Sequence, residues 1–171
     1  GLGDVYKRQA FKQGILKAQH DFTTVVANPG AGGAGQGTNV TGAYKLALYT
    51  YNSNTPPFTV SSTIWSAVAT EVNNTAGTAN YTAGGAVLST ATVGQTGNFT
   101  TVDWADATWS SATISAGFGV LYRYDTNGAN MHLVAILDFN GAKSSTNGTF
   151  QVAFPTINTG GDAILSITGN P

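Results

Sequence analysis

Gly119-Val-Leu-Tyr-Arg-Tyr-Asp-Thr126 and Leu133-Val-Ala-Ile-Leu-Asp-Phe139 decide the fold. Both runs are rich in Val, Ile, Leu and aromatic residues, and Thr126-Asn-Gly128 lies between them. Branched and aromatic side chains suit a pleated surface, and Asn-Gly accepts the positive φ of a tight turn. The same grammar extends outward. Upstream lie Tyr81-Thr-Ala-Gly-Gly-Ala-Val-Leu88 and Asp106-Ala-Thr-Trp-Ser-Ser-Ala-Thr-Ile114; downstream lies Lys143-Ser-Ser-Thr-Asn-Gly-Thr-Phe150. Period-two alternation predicts strands over 44–51, 86–93, 99–105, 114–124, 131–139, 149–154 and 163–167. Residues 64–72 read as a short strand or a helical turn. Gln95-Thr-Gly97 and Asn147-Gly148 read as turns. About eight short strands at this spacing predict one all-β domain, an antiparallel β-sandwich or jelly-roll-like barrel.

One helix is expected, over residues 10–20. Phe11, Ile15 and Ala18 share a face at spacings of three and four, with Lys12 and Lys17 free to face water. Gly14 weakens it, so it needs a sheet to pack against. Residues 28–42 are a Gly-rich arm or loop, opening on Pro29-Gly30 and carrying Gly32, Gly33, Gly35 and Gly37. Asp4-Val-Tyr-Lys-Arg-Gln9 matches the in-frame translation of a transposase adapter used in sequencing libraries. Residues 1–9 are therefore expected to be an artefact of library preparation, and residues 10–171 the domain. Without Asp4, Lys7 and Arg8 the formal charge moves from −1 to −2, five cationic against seven acidic residues.

Composition bounds the function. Charged residues make up 9 per cent of the chain and the seven Lys and Arg are scattered, so no basic patch for nucleic acid is visible. Cysteine is absent, which removes disulfides, thiolate zinc ligands and thiol catalysis. No apolar run approaches the length of a membrane-spanning helix. No partner in nucleic acid or membrane, and no cofactor, is expected.

Chemical signals are sparse. Gly30-Ala-Gly-Gly-Ala-Gly35 matches a phosphate-loop pattern, but a strand-like segment follows it where a helix is required. Asp103 and Asp106 flank Trp104, with Trp109 nearby, a set that glycoside chemistry or sugar stacking can use. On an unbroken strand, however, the two carboxylates point to opposite faces. His20 and His132 have no ligand-type neighbours at metal spacing. Ser110, Ser111, Ser144 and Ser145 lie in no nucleophile elbow. Sequons at Asn39, Asn73, Asn80, Asn98 and Asn147 are expected from a chain this rich in Asn and Thr. Asp125, Asn127 and Asp138 match no EF-hand pattern.

The helix Phe11-Lys-Gln-Gly-Ile-Leu-Lys17, the strand Tyr44-Lys-Leu-Ala-Leu-Tyr-Thr50, the pair Glu71-Val72, the Tyr81-Thr-Ala-Gly-Gly motif, the Asp106-x-x-Trp109 strand and the Leu137-Asp-Phe139 strand occur in this order. Together they resemble a family of small structural proteins of tailed bacteriophages. The resemblance covers nearly everything after residue 10. It implies a non-enzymatic virion component at the particle surface, with the major capsid protein and copies of itself as partners. A capsid decoration or cement subunit is the leading expectation, and a trimer fits a local three-fold position. The candidate assembly contacts are Phe11 and Ile15 of the helix, with Pro29, Gly30, Gly33, Gly35 and Gly37 of the arm. Residues 23–43 depart from the family's short helix-to-strand connection. A tail-fibre or tail-tip module stacking host glycans on Trp65, Trp104 and Trp109 is the rival expectation, and a tail-tube or head-completion subunit the third.

Overall fold

The computed structural model describes residues 5–7, 44–51, 70–74, 77–88, 91–97, 99–124, 132–157 and 163–168. Within them the chain is all-β, with one short 3-10 turn at Val72–Asn74. The strands are β1 (Val5–Lys7), β2 (Tyr44–Tyr49), β3 (Ala86–Val87), β4 (Thr92–Thr96), β5 (Phe99–Asp103), β6 (Ala107–Arg123), β7 (Leu133–Val152) and β8 (Leu165–Thr168). They form two antiparallel sheets, β1-β7-β6-β2-β3 and β4-β5-β8. The arrangement is sandwich-like. The larger apolar cluster joins Leu46 and Leu48 of β2 and Leu121 of β6 to Val102 of β5 and Leu165 of β8.

Alternation along β2 explains why the large sheet is buried on both faces. Tyr44, Leu46 and Leu48 enter the larger cluster, while Ala47 and Tyr49 enter a second cluster with Phe118, Val120, Tyr122, Leu133 and Ile136. Each fully buried side chain of this size contributes about 1.5–3 kcal/mol relative to exposure.

The long β6–β7 ribbon keeps an apolar face on the core by changing its alternation twice. Ala107 and Trp109 face the larger cluster; after a register shift at 110–111, where Ser111 has φ 49°, Ala112, Ile114 and Ala116 do so. A further shift between Ala116 and Phe118 sends Phe118, Val120 and Tyr122 to the opposite face. Gly117 sits at that shift because a Cβ there would lie 2.5 Å from the Tyr51 Cβ. On β7 the matching irregularity spans 139–142: Asp138 pairs with Phe118 and Lys143 with Ala116, and Asn140 and Gly141 take positive φ of 54° and 102°. Bulges of this kind bend the strand and increase its twist.

Several expectations need correcting. Asn147-Gly148 is no turn: Asn147 has positive φ (48°), yet β7 runs through it from Leu133 to Val152. The strand expected over 86–93 is two, β3 in one sheet and β4 in the other. β6 begins at Ala107 rather than 114. Of the ambiguous 64–72, the described part holds Glu71 bridged to Tyr49, then the 3-10 turn. Gln95-Thr-Gly97 does turn, with Gly97 at φ 57° between β4 and β5. The helix expected over 10–20, the arm over 28–42 and the turn at 126–128 lie outside the described residues. Val5–Lys7, within the segment read as adapter, pairs along β7 at Ala135–Leu137. An extended tripeptide with a β-branched residue suits a free sheet edge whatever its origin.

Candidate functional site

Three polar sites organise the described surface and core. The first is a buried bracket around Glu71, whose side chain is fully enclosed. Its Oε1 accepts a hydrogen bond from the Gly84 N–H at 2.6 Å and one from the Tyr81 hydroxyl at 3.0 Å. The Tyr81 oxygen in turn accepts from the Leu48 N–H at 2.8 Å. On the other side of the same turn, the Tyr122 hydroxyl donates to the Gly84 carbonyl at 2.7 Å. Gly84 and Gly85 both take positive φ, 83° and 76°, and a Cβ on Gly85 would lie 1.9 Å from the Leu46 carbonyl oxygen. The Glu71-Val72 pair and the Tyr81-Thr-Ala-Gly-Gly motif are thus two halves of one clamp that docks the 81–85 turn on β2. Burial pushes both phenols above the ordinary tyrosine value, and the Glu71 charge adds to the rise.

The second site contains the carboxylates and indoles that sequence singled out. Asp103 ends β5 and Asp106 precedes β6. Asp106 Oδ1 accepts the Phe154 N–H at 2.9 Å and Oδ2 accepts the Gln151 Nε2 at 3.2 Å, so it ties the end of β7 to the start of β6. The Asp103 carboxyl is held above the usual range, mainly by desolvation, with the Asp106 charge a smaller contribution and a hydrogen bond from Trp104 opposing it. Both described tryptophans are core residues. Trp104 is 3 % exposed and packs on Tyr44 at 5.3 Å between ring centroids; Trp109 is 7 % exposed and lies between Tyr81 and Phe150. Neither presents a ring face on which a sugar could stack. Trp65, Phe11, Ile15, Pro29, Gly30, Gly33, Gly35 and Gly37 lie outside the described residues.

The remaining sequence candidates have local roles. Ser144 Oγ donates to Ser115 Oγ at 3.0 Å, and Ser145 Oγ donates to the Ala112 carbonyl at 2.9 Å. Asn80 Nδ2 donates to the Ser111 carbonyl, and Asp138 Oδ1 accepts the Asn140 N–H. His132 accepts the Arg123 N–H through its carbonyl oxygen. Among the described residues no three of His, Cys, Asp and Glu gather as a metal site would require.

The third site was not read from the sequence. A groove of about 380 Å³ is lined by Phe139, Lys143, Ser144, Thr149, Phe150, Gln151, Val152 and Ala153. Its lining spans the 139–142 irregularity, with Phe139 at the near end of it and Phe150 well beyond it along β7. Phe139, Phe150 and Val152 are nearly buried, whereas Lys143, Ser144, Thr149 and Gln151 are exposed. The only signal in sequence was Asn140-Gly141, a pair suited to positive φ inside an otherwise strand-like run. Compared with family models, with curated proteins and with solved structures, the chain matches none.

Proposed function

We propose that the chain is a non-enzymatic structural subunit of a tailed-phage virion, a capsid decoration or cement protein, with its sheets packed as a jelly-roll-like sandwich. The observation that carries this reading is the outer face of the β6–β7 ribbon. Thr108, Ser110, Ser115, Ser144, Thr146 and Gln151 are exposed along it, while Trp109, Ile114 and Phe150 fasten the inner face to the core. A face built this way is rigid before contact, so docking costs little ordering entropy. Its hydroxyls and amides make short polar contacts without a charged group to desolvate. Individually weak contacts of this kind gain strength through repetition on a symmetric shell. The major capsid protein and copies of the same chain are the partners that such a role requires.

A cryo-electron-microscopy reconstruction of the particle carrying this chain tests the proposal. Density repeated over the icosahedral shell supports it. Density confined to the tail overturns the decoration role in favour of a tail module, for which a glycan array is the next measurement.

A further inference from the structure

We infer that the Phe139–Phe150 groove is a docking site for an extended peptide strand carrying a carboxylate side chain, supplied by a neighbouring protein subunit. The identity of the partner rests on the virion reading above; the chemistry of the site does not. Every described residue lining the groove belongs to β7 or follows it directly and none belongs to β6, so among the described strands the groove lies against β7 alone. Among the described lining residues Lys143 is the one that is charged; the neighbouring carboxylate, Asp106, is taken up by Gln151 and the Phe154 N–H. The ammonium therefore selects an anion, and Phe139, Phe150 and Val152 offer an apolar floor beside it.

The adjoining backbone favours a peptide. Among the described residues, β7 beyond the 139–142 bulge pairs only with β6, so its other edge has main-chain donors and acceptors to offer. Higher on the same edge, at Ala135–Leu137, β7 accepts Val5–Lys7 as an antiparallel strand. An edge that takes one strand can take another in line with it, with backbone bonds giving affinity and the groove reading alternate side chains. A saccharide has no main-chain amides with which to pair along the edge.

The test is an NMR titration of the purified full chain with three probes: the capped pentapeptide Thr-Val-Glu-Val-Thr, its Gln-centred counterpart, and an oligoglucuronate. The Glu peptide is expected to shift the backbone amides of residues 143–151 and to bind about 2–5-fold more tightly than the Gln peptide, as one exposed charge pair allows. Lys143→Gln, at an exposed position, should erase that preference while leaving binding of the Gln peptide unchanged. Three outcomes overturn the inference: no shift along 143–151, a preference that survives Lys143→Gln, or tighter binding of the oligoglucuronate. The measurement uses no particle, so peptide binding without shell density would sink the decoration role alone. Shell density without peptide binding would sink the groove alone.

Discussion

Replacing Gly85 with Ala should destabilise the fold by about 2–5 kcal/mol, and the same change at Gly77 by only about 1–2 kcal/mol. The two glycines have matching backbones, φ 76° and 83°, but different surroundings. At Gly77 a Cβ meets nothing within 4 Å, so Ala carries only the cost of a left-handed conformation. At Gly85 the new Cβ would lie 1.9 Å from the Leu46 oxygen and 2.6 Å from the Ala47 Cα. Ordinary contact needs about 3.5 Å. These neighbours are backbone atoms of a buried strand, so relief requires β2 and β3 to separate. That weakens the Lys45–Val87 and Leu46–Ala86 pairs and the Gly84 hydrogen bond to Glu71. Overpacking of this kind costs about 1–3 kcal/mol beyond the dihedral penalty, a large share of a total stability of about 5–15 kcal/mol. Urea unfolding followed by circular dichroism measures both variants on one scale. In a chain of this size the melting temperature should fall by roughly 4–20 °C for Gly85→Ala and roughly 2–8 °C for Gly77→Ala. If the two losses agree within about 0.5 kcal/mol, the close approach of the 81–85 turn to β2 is wrong.

Tyr81→Phe removes the hydroxyl that joins the Leu48 N–H to Glu71, and should cost about 1–3 kcal/mol in the same urea assay. Because Tyr81 and Tyr122 hold their protons more tightly when folded, the native state binds more protons than the unfolded chain above about pH 10. The tyrosine contribution to stability should therefore be flat below that pH and fall as pH rises beyond it, with a shallower fall in Tyr81→Phe; an unchanged slope would count against the buried phenol. Asp106→Ala frees the Phe154 N–H and the Gln151 amide, and should cost about 1–2 kcal/mol, read as a lower urea midpoint at unchanged m-value.

The strands that sequence revealed most clearly were those with clean alternation and hydrophobic partners. Tyr44–Tyr49 shows both faces of a doubly buried strand, and Phe99–Asp103 follows a turn glycine. The 143–149 half of β7 was hidden because its side chains are Lys, Ser, Thr, Asn and Gly, a composition shared with loops. Its strand character comes from β6, whose Trp109, Ala112 and Ile114 anchor the ribbon from across the ladder. Asn147-Gly148 misled for a related reason: positive φ serves bulges as well as turns. The groove was invisible too, since its lining spans a register irregularity that periodicity cannot locate. Conversely, Glu71-Val72 and Tyr81-Thr-Ala-Gly-Gly were noticed as motifs, but a carboxylate meeting a main-chain N–H in a separate segment leaves no spacing rule to read.

The order of strands in the two sheets also sets an order in time. β4–β5 and β6–β7 join chain neighbours, so they can close early through short searches. β2 must find β6, and β5 must find β8, across long stretches of intervening chain. Until β8 arrives, one side of β5 is an open ladder beside the apolar Val102. In concentrated solution the β8 segment of another molecule can fill that ladder as well as the chain's own, since the pairing is identical. Refolding at high protein concentration therefore favours strand-exchanged dimers and refolding at high dilution favours self-closed monomers, giving this fold a built-in competition between completing itself and joining its neighbour.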